Sequence, residues 1–223
     1  MTQTLHKTDH DLKAAIVEEL AWTPSVNADR IGVSVSEGTV TLSGQVKTYP
    51  EKQHAIRAAM RVRGVTAVAD ELTVANDRMP RDDTDIAVEA TEALARLRHI
   101  VPDSVQVQVH HHVVTLTGDV AWQYQREEAR RAMIALRGVG GVVNQITLTP
   151  TVSVSPSIAK AKIAAALVRN AQVDAENIHV DAAGSVITLT GTVSSWAERR
   201  QAEYSAWSSP GVSHVENRLV VSA

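Results

Sequence analysis

Ile31-Gly-Val-Ser-Val-Ser-Glu-Gly-Thr-Val-Thr-Leu-Ser-Gly-Gln-Val46 is the stretch that decides the fold. Apolar residues alternate at Ile31, Val33 and Val35, a turn pair follows at Glu37-Gly38, and alternation resumes at Val40 and Leu42 up to Gly44. Period two on both sides of a glycine-bearing turn predicts an antiparallel β-hairpin. Ahead of it, Leu12, Ile16 and Leu20 recur at the spacing of one helix face. Behind it, a second helix is expected over about Pro50–Arg63, stopped by Gly64, and then a strand over Val68–Val74. The order is α-β-β-α-β, and the strand–helix–strand crossover makes the third strand parallel to the second.

The unit is written three times. Gly44/Gly64, Gly118/Gly138 and Gly191/Gly211 repeat at periods of 74 and then 73 residues, and the copies align from the first helix to the second glycine without a gap. Leu20, Leu94 and Leu167 coincide, as do Leu42, Leu116 and Leu189, and Ala55, Ala129 and Ala202. The second helices of the later copies are expected over Gln123–Arg137 and Trp196–Ser208, their last strands over Val142–Leu148 and Val215–Val221. Copy three turns its hairpin around Gly184, whereas copy two has His111-His112 there, poorer turn chemistry that predicts a longer loop. In each glycine pair the first member is expected to close the hairpin and the second to stop the helix. The fold class is therefore α+β, with three tandem domains at 8–75, 82–149 and 155–223. Each is a three-stranded mixed sheet with two helices on one face.

Composition narrows the function. Aromatic residues make up 3% of the chain and Phe is absent, so Val, Ile, Leu and Ala must fill the cores. A domain of this size hides only about 60% of its unfolded surface, so docking between copies would add stability. The net charge of −3 divides as −2, −1 and 0 over residues 1–77, 78–150 and 151–223, so no copy is a basic domain and nucleic acid is disfavoured as a partner. Absence of cysteine excludes disulfides and thiolate metal sites. No stretch approaches the roughly 18 apolar residues of a membrane span, and Met1–Lys13 has no apolar run of secretory length, which leads to a cytoplasmic expectation.

The motif Val40-Thr-Leu-Ser-Gly44-x-Val46, with Ala55, Ala59, Gly64-Val65 and Leu72-x-Val74, resembles the BON domain family. Copies two and three carry it as Val114-Thr-Leu-Thr-Gly118-x-Val120 with Gly138-Val139, and Ile187-Thr-Leu-Thr-Gly191-x-Val193 with Gly211-Val212. The resemblance implies a non-catalytic module of bacterial osmotic-stress and envelope proteins, associated with phospholipid binding and with support of protein folding. A cytosolic relative that joins this domain to a LysM domain binds potassium; no LysM-like segment is visible here.

Most shared columns are apolar or glycine, and the polar ones Asp29/Asp103/Glu176, Thr41/Thr115/Thr188 and Lys52/Arg126/Arg199 pair no nucleophile with a base, so no enzyme is expected. The acidic column is expected to close the loop before the first strand by accepting backbone amides. Candidate binding residues lie on the second helix. Met60, Ile134 and Trp207 share a column roughly 140° from the sheet-facing alanine, which reads either as a partner contact or as burial between neighbouring copies. Beside Ile134, Arg126, Arg130 and Arg137 are spaced to share a face suited to phosphate. His110-His111-His112 lies in the hairpin turn and specifies no third ligand, so neither a metal nor another cofactor is expected. Gly138-Val-Gly-Gly141 fits a nucleic-acid GxxG loop in one copy only. The expected function is binding of a phospholipid surface or a protein partner during osmotic or general stress. A potassium sensor and a chaperone-like interaction protein are the alternatives, and oligomeric state is left open.

Overall fold

The computed structural model describes residues 8–75, 81–152, 154–170 and 173–222. Copy one holds α1 (Asp9–Ala21), β1 (Ile31–Ser36), β2 (Thr39–Val46), α2 (Tyr49–Ala59) and β3 (Ala67–Val74). Copy two holds α3 (Asp83–Ala95), β4 (Val105–His110), β5 (Val113–Val120), α4 (Gln123–Ile134), β6 (Gly141–Asn144) and β7 (Thr147–Leu148). Copy three holds α5 (Pro156–Arg169), β8 (Ile178–Ala183), β9 (Val186–Val193), α6 (Trp196–Trp207) and β10 (His214–Val221). In each copy the hairpin is antiparallel and the last strand lies parallel to the middle one.

Both helices cover one face of their sheet. Leu12, Ile16 and Leu20 of α1 meet Val40, Leu42 and Val46 of β2 and Ala55, Ala58 and Ala59 of α2 in one core. Ala159, Ile163 and Leu167, Ile187, Leu189 and Val193, and Ala202 and Ala206 repeat it in copy three. Alanines on the second helix let its backbone approach the sheet closely, which replaces the missing Phe as a way of filling the layer. Each fully buried Leu or Ile contributes about 1.5–3 kcal/mol. Packing divides the chain into two compact units, one running to Asp82 with Arg137–Gly140, the other holding Asp83–Leu136 and Gly141–Ser222. Copies two and three thus share a unit.

Hydroxyl caps start the helices: Thr48 accepts from the Glu51 amide (3.2 Å) and Ser195 from that of Glu198 (3.1 Å), each followed by a helix that opens on good first-turn residues. Four expectations need correction. The turn of copy two is no longer than the others, because Val113 pairs with His110 directly and His111 and His112 both take positive φ (48° and 62°). The Asp83 carboxylate holds it, accepting the amides of His111 (2.8 Å) and His112 (2.9 Å), as Asp9 does for Glu37 (3.0 Å) and Gly38 (3.4 Å) in copy one. Two fixed amides replace the glycine that such a turn ordinarily requires.

The first glycine of each pair does not close the hairpin but sits inside β2, β5 or β9, opposite the first residue of β1, β4 or β8. Its φ is +119° to +123°, and a Cβ there would strike the carbonyl oxygen of Arg30, Ser104 or Asn177. Only glycine allows that approach. The second helices end at Ala59, Ile134 and Trp207, so the second glycine closes a following turn rather than the helix itself. Finally, the last strand of copy two is interrupted, with β6 and β7 both pairing to β5.

Candidate functional site

Two polar columns on the second helix have a scaffold role in the structure. Glu51, Gln125 and Glu198 occupy one buried position on the second helix. Glu51 accepts the amides of Asn27 (2.9 Å) and Lys47 (2.8 Å), tying the loop before β1 to the start of α2. Glu198 does the same with Asp174 (2.7 Å) and Ser194 (2.6 Å). Burial alone would raise the Glu198 pKa, but the Ser194 and Asp174 amides outweigh it and hold the carboxyl below its ordinary value. Gln125 accepts the Trp122 amide (2.9 Å) and turns its own amide group toward the His99 carbonyl, to which it donates. These residues perform the loop closure expected of Asp29, Asp103 and Glu176, which are exposed. The column was legible as Thr48-x-x-Glu51 and Ser195-x-x-Glu198, a helix-start signature.

In copies one and three the Lys52/Arg126/Arg199 column pins the second helix to the last strand through its side chain, whereas in copy two, among the described residues, only the Arg126 backbone carbonyl makes that link. Lys52 donates to the Leu72 carbonyl (2.6 Å) and pairs with Asp70 (3.0 Å), while Arg199 donates to the carbonyls of Leu219 (3.0 Å) and Asn217 (2.6 Å). Strand residues Asn144 and Asn217 return a bond to the Arg126 and Arg199 carbonyls (3.0 and 3.3 Å). No nucleophile–base pair arises from any of these columns.

The arginine stripe of copy two does not form as a helical face. Arg126 is half-buried in the scaffold column with its Nε shielded from solvent, and Arg137 lies beyond the end of α4, in the turn that follows. Arg130 and Ile134 remain on α4, where Arg130 is 3.7 Å from Glu127. Met60, Ile134 and Trp207 are each half-buried, and Trp207 packs against the core of copy three, its Nε1 donating to Glu203 (3.4 Å). Among the described residues no three His, Cys, Asp or Glu side chains converge as metal ligands. No helix there is long and apolar enough to cross a membrane.

What does converge is aromatic. A cleft of about 1130 Å³ lies between α4 and α6, and its walls carry Trp122, Tyr124, Tyr204 and Trp207. Those are four of the seven aromatic residues in the chain. Glu127, Glu128, Arg130 and Arg131 line it from α4, Arg200 and Glu203 from α6. Tyr124 meets the His99 ring edge-on (6.1 Å between centroids), so the bond from Gln125 to the His99 carbonyl also steadies one cleft wall. A second recess of about 490 Å³ shares Glu128 and Arg131 and adds Arg96, Arg98 and His99. Trp207 apart, the sequence pointed to none of these rings, because the four fall in four different repeat columns.

Comparison with known proteins then bears on all three copies. The family model described as BON domain matches residues 8–76, 82–150 and 156–223. Osmotically-inducible protein Y of Escherichia coli (strain K12) is 31% identical over 140 residues, covering 60% of this chain and 68% of that protein. Among solved structures, the C-terminal domain of CdsD, the structural protein of the type III secretion system of Chlamydia trachomatis, is 16% identical with a TM-score of 0.28, covering 97% of this chain and 100% of that one. The PrgH periplasmic domain is 10% identical with a TM-score of 0.22, covering 87% and 96%. Likeness that weak carries no functional argument.

Proposed function

This chain belongs to the BON domain family, carrying the domain three times, and from that premise we propose a non-enzymatic binding protein of the osmotic or general stress response that engages a macromolecular partner through copies two and three. One observation carries the reading: in a chain so poor in aromatic residues, four rings line one open cleft, two of them, Tyr124 and Tyr204, exposed. Rings left accessible to solvent at one place are what binding surfaces are made of. The two polar columns of the second helix support the non-enzymatic part, since their described bonds serve the scaffold. The binding chemistry is independent of compartment, and the cytoplasmic location expected from the amino terminus draws no support from the osmotically-inducible relative.

A phospholipid surface is the second reading, favoured by Arg130 and the half-buried Ile134 on α4 and by exposed Tyr124 and Tyr204 beside them. Two probes separate the readings with the full chain. One is immobilised reduced, carboxymethylated lactalbumin, a permanently unfolded acidic polypeptide; the other is sedimentation with vesicles of phosphatidylglycerol and phosphatidylethanolamine. Retention on the polypeptide without sedimentation is the expected result. Sedimentation alone transfers the function to the membrane surface, and binding to neither overturns both.

A further inference from the structure

We infer that β4 is the contact strand of a symmetric dimer, in which the free edge of copy two pairs antiparallel with the same edge of a second copy of this chain. This surface lies apart from the lining of the aromatic cleft and adds to the binding role above.

β4 is the outer strand of its sheet, and among the described residues no strand pairs with its far side. The Asp119 amide donates to the Ser104 carbonyl (3.1 Å), so by alternation Gln106, Gln108 and His110 bond to β5, while Val105, Val107 and Val109 turn their N–H and C=O outward. The strand reads Val105-Gln-Val-Gln-Val-His110, with no Lys, Arg, Asp, Glu, Pro or Gly. Such an edge pairs with another chain unless something guards it.

Copy three shows a guard. Lys160 of α5 lies on the helix face of its sheet, and Asp181 alternates to the opposite face, so their ion pair (2.9 Å) wraps the edge of β8. Ile178 and Val180 beneath it are buried. Copy one keeps Lys13 in the lysine column. Copy two has Ala87 in place of the lysine and Gln108 in place of the aspartate, and Val105, Val107 and Val109 are all only half-buried. The open backbone groups and the incompletely covered apolar row thus coincide at one edge.

The edge is complementary to itself. With a two-fold axis at Val107, that residue faces its own counterpart and Val105 faces Val109, so each outward N–H meets an outward C=O. Gln106 then faces Gln108 of the second copy, two amides that donate and accept in both directions. Beyond the strand ends, His111 comes alongside Asp103 of the second copy, an imidazole N–H against a carboxylate, and no like charges are opposed. On the helix side, Ala87 is small and uncharged where a lysine would repel a second α3.

Sedimentation equilibrium of the full chain tests this. At about 0.1 mM, a concentration that populates weak interfaces, the mass should approach twice that of one chain. Ala87→Lys with Gln108→Asp transplants the guard of copy three and should weaken the dimer about 10-fold or more. Gln106→Cys with Gln108→Cys, in a chain that has no cysteine of its own, should yield a covalent dimer on mild oxidation, because the facing positions lie about 4.5 Å apart between Cα atoms. Thermal melts confirm that both variants fold. A chain that stays monomeric to about 1 mM, a dimer unmoved by the transplanted guard, or the absence of the cross-link overturns the inference. Two further results also overturn it. Slow amide exchange at Val105, Val107 and Val109 in a monomer would mean that the same chain covers the edge, and capture of a labelled Val-Gln-Val-Gln-Val peptide by a monomer would assign it to an extended segment of another protein.

Discussion

Copies one and three solve the same local problem in a way that copy two inverts. Glu51 and Glu198 each present a carboxylate to a backbone amide of the loop ahead of the first strand, and that loop forms a short 3-10 turn, Ala28–Arg30 or Ala175–Asn177. Copy two has Gln125 there; its loop offers the His99 carbonyl instead, and Asp103 takes positive φ (63°) on the way into β4. One atom type, nitrogen in place of oxygen, is thus matched by a loop that shows its opposite peptide face. The lesson is that the fold demands a satisfied buried group at this position and is indifferent to its polarity, provided the loop agrees.

The strongest test of that parallel lies where the copies agree. Gly118→Ala and Gly191→Ala should each cost about 4 kcal/mol or more, since both put a Cβ into a carbonyl at a φ closed to other residues. Denaturant unfolding followed by amide NMR of each copy measures it, and a tolerated Gly118→Ala would mean that the copies do not share this approach. Exchange at the buried position comes next. Glu198→Gln should lose about 2–3 kcal/mol, because an amide nitrogen would face the Asp174 or Ser194 amide, and Gln125→Glu should lose a similar amount at neutral pH by facing a carboxylate to a carbonyl. Equal stability of either swap would break the comparison.

Acid sharpens it. Glu198 and Asp83 are both held below their ordinary pKa, Asp83 chiefly by the His112 amide, which acts against burial and is helped by the His111 amide. A depressed folded-state pKa stabilises fully above the ordinary carboxylate range, near pH 4, and the contribution disappears as pH falls through the folded value. Protection from hydrogen exchange, taken relative to the intrinsic rate at each pH, should therefore fall on acidification at Asp174 and Ser194 in copy three and at His111 and His112 in copy two, where Gln125 does not titrate. Glu198→Gln should abolish the first response and Asp83→Asn the second. The smallest effect is at the turn: His111→Asn with His112→Gly suits the two positive φ values and should stabilise copy two by about 1 kcal/mol, read as a rise in Tm.

Much of this was legible before any coordinates. Strand order, the hairpin and the helix faces follow from local periodicity, which depends only on which residues must face one core, and three copies in one register removed the ambiguity of any single reading. The second helices of copies one and two end four and three residues before the expected Arg63 and Arg137, and that of copy three one before Ser208, because Arg63 and Arg137 are sound helix formers and only the tight turn before Gly64 and Gly138 stops the helix sooner. That error produced an arginine stripe extending to Arg137. The buried Glu51/Gln125/Glu198 column was present as a repeated polar position and went unread because exposed acids looked equally able to close the loop.

The sequence by itself determined the tandem architecture, the mixed sheets and the absence of a repeated catalytic constellation, since each is encoded within one copy. Only the tertiary structure decided which aromatic residues share one cleft. Trp122 and Tyr124 lie about eighty residues from Tyr204 and Trp207, in unrelated columns, and no periodicity links them. They become neighbours because α4 and α6 line one cleft, and contact between distant segments is a property of packing rather than of local pattern.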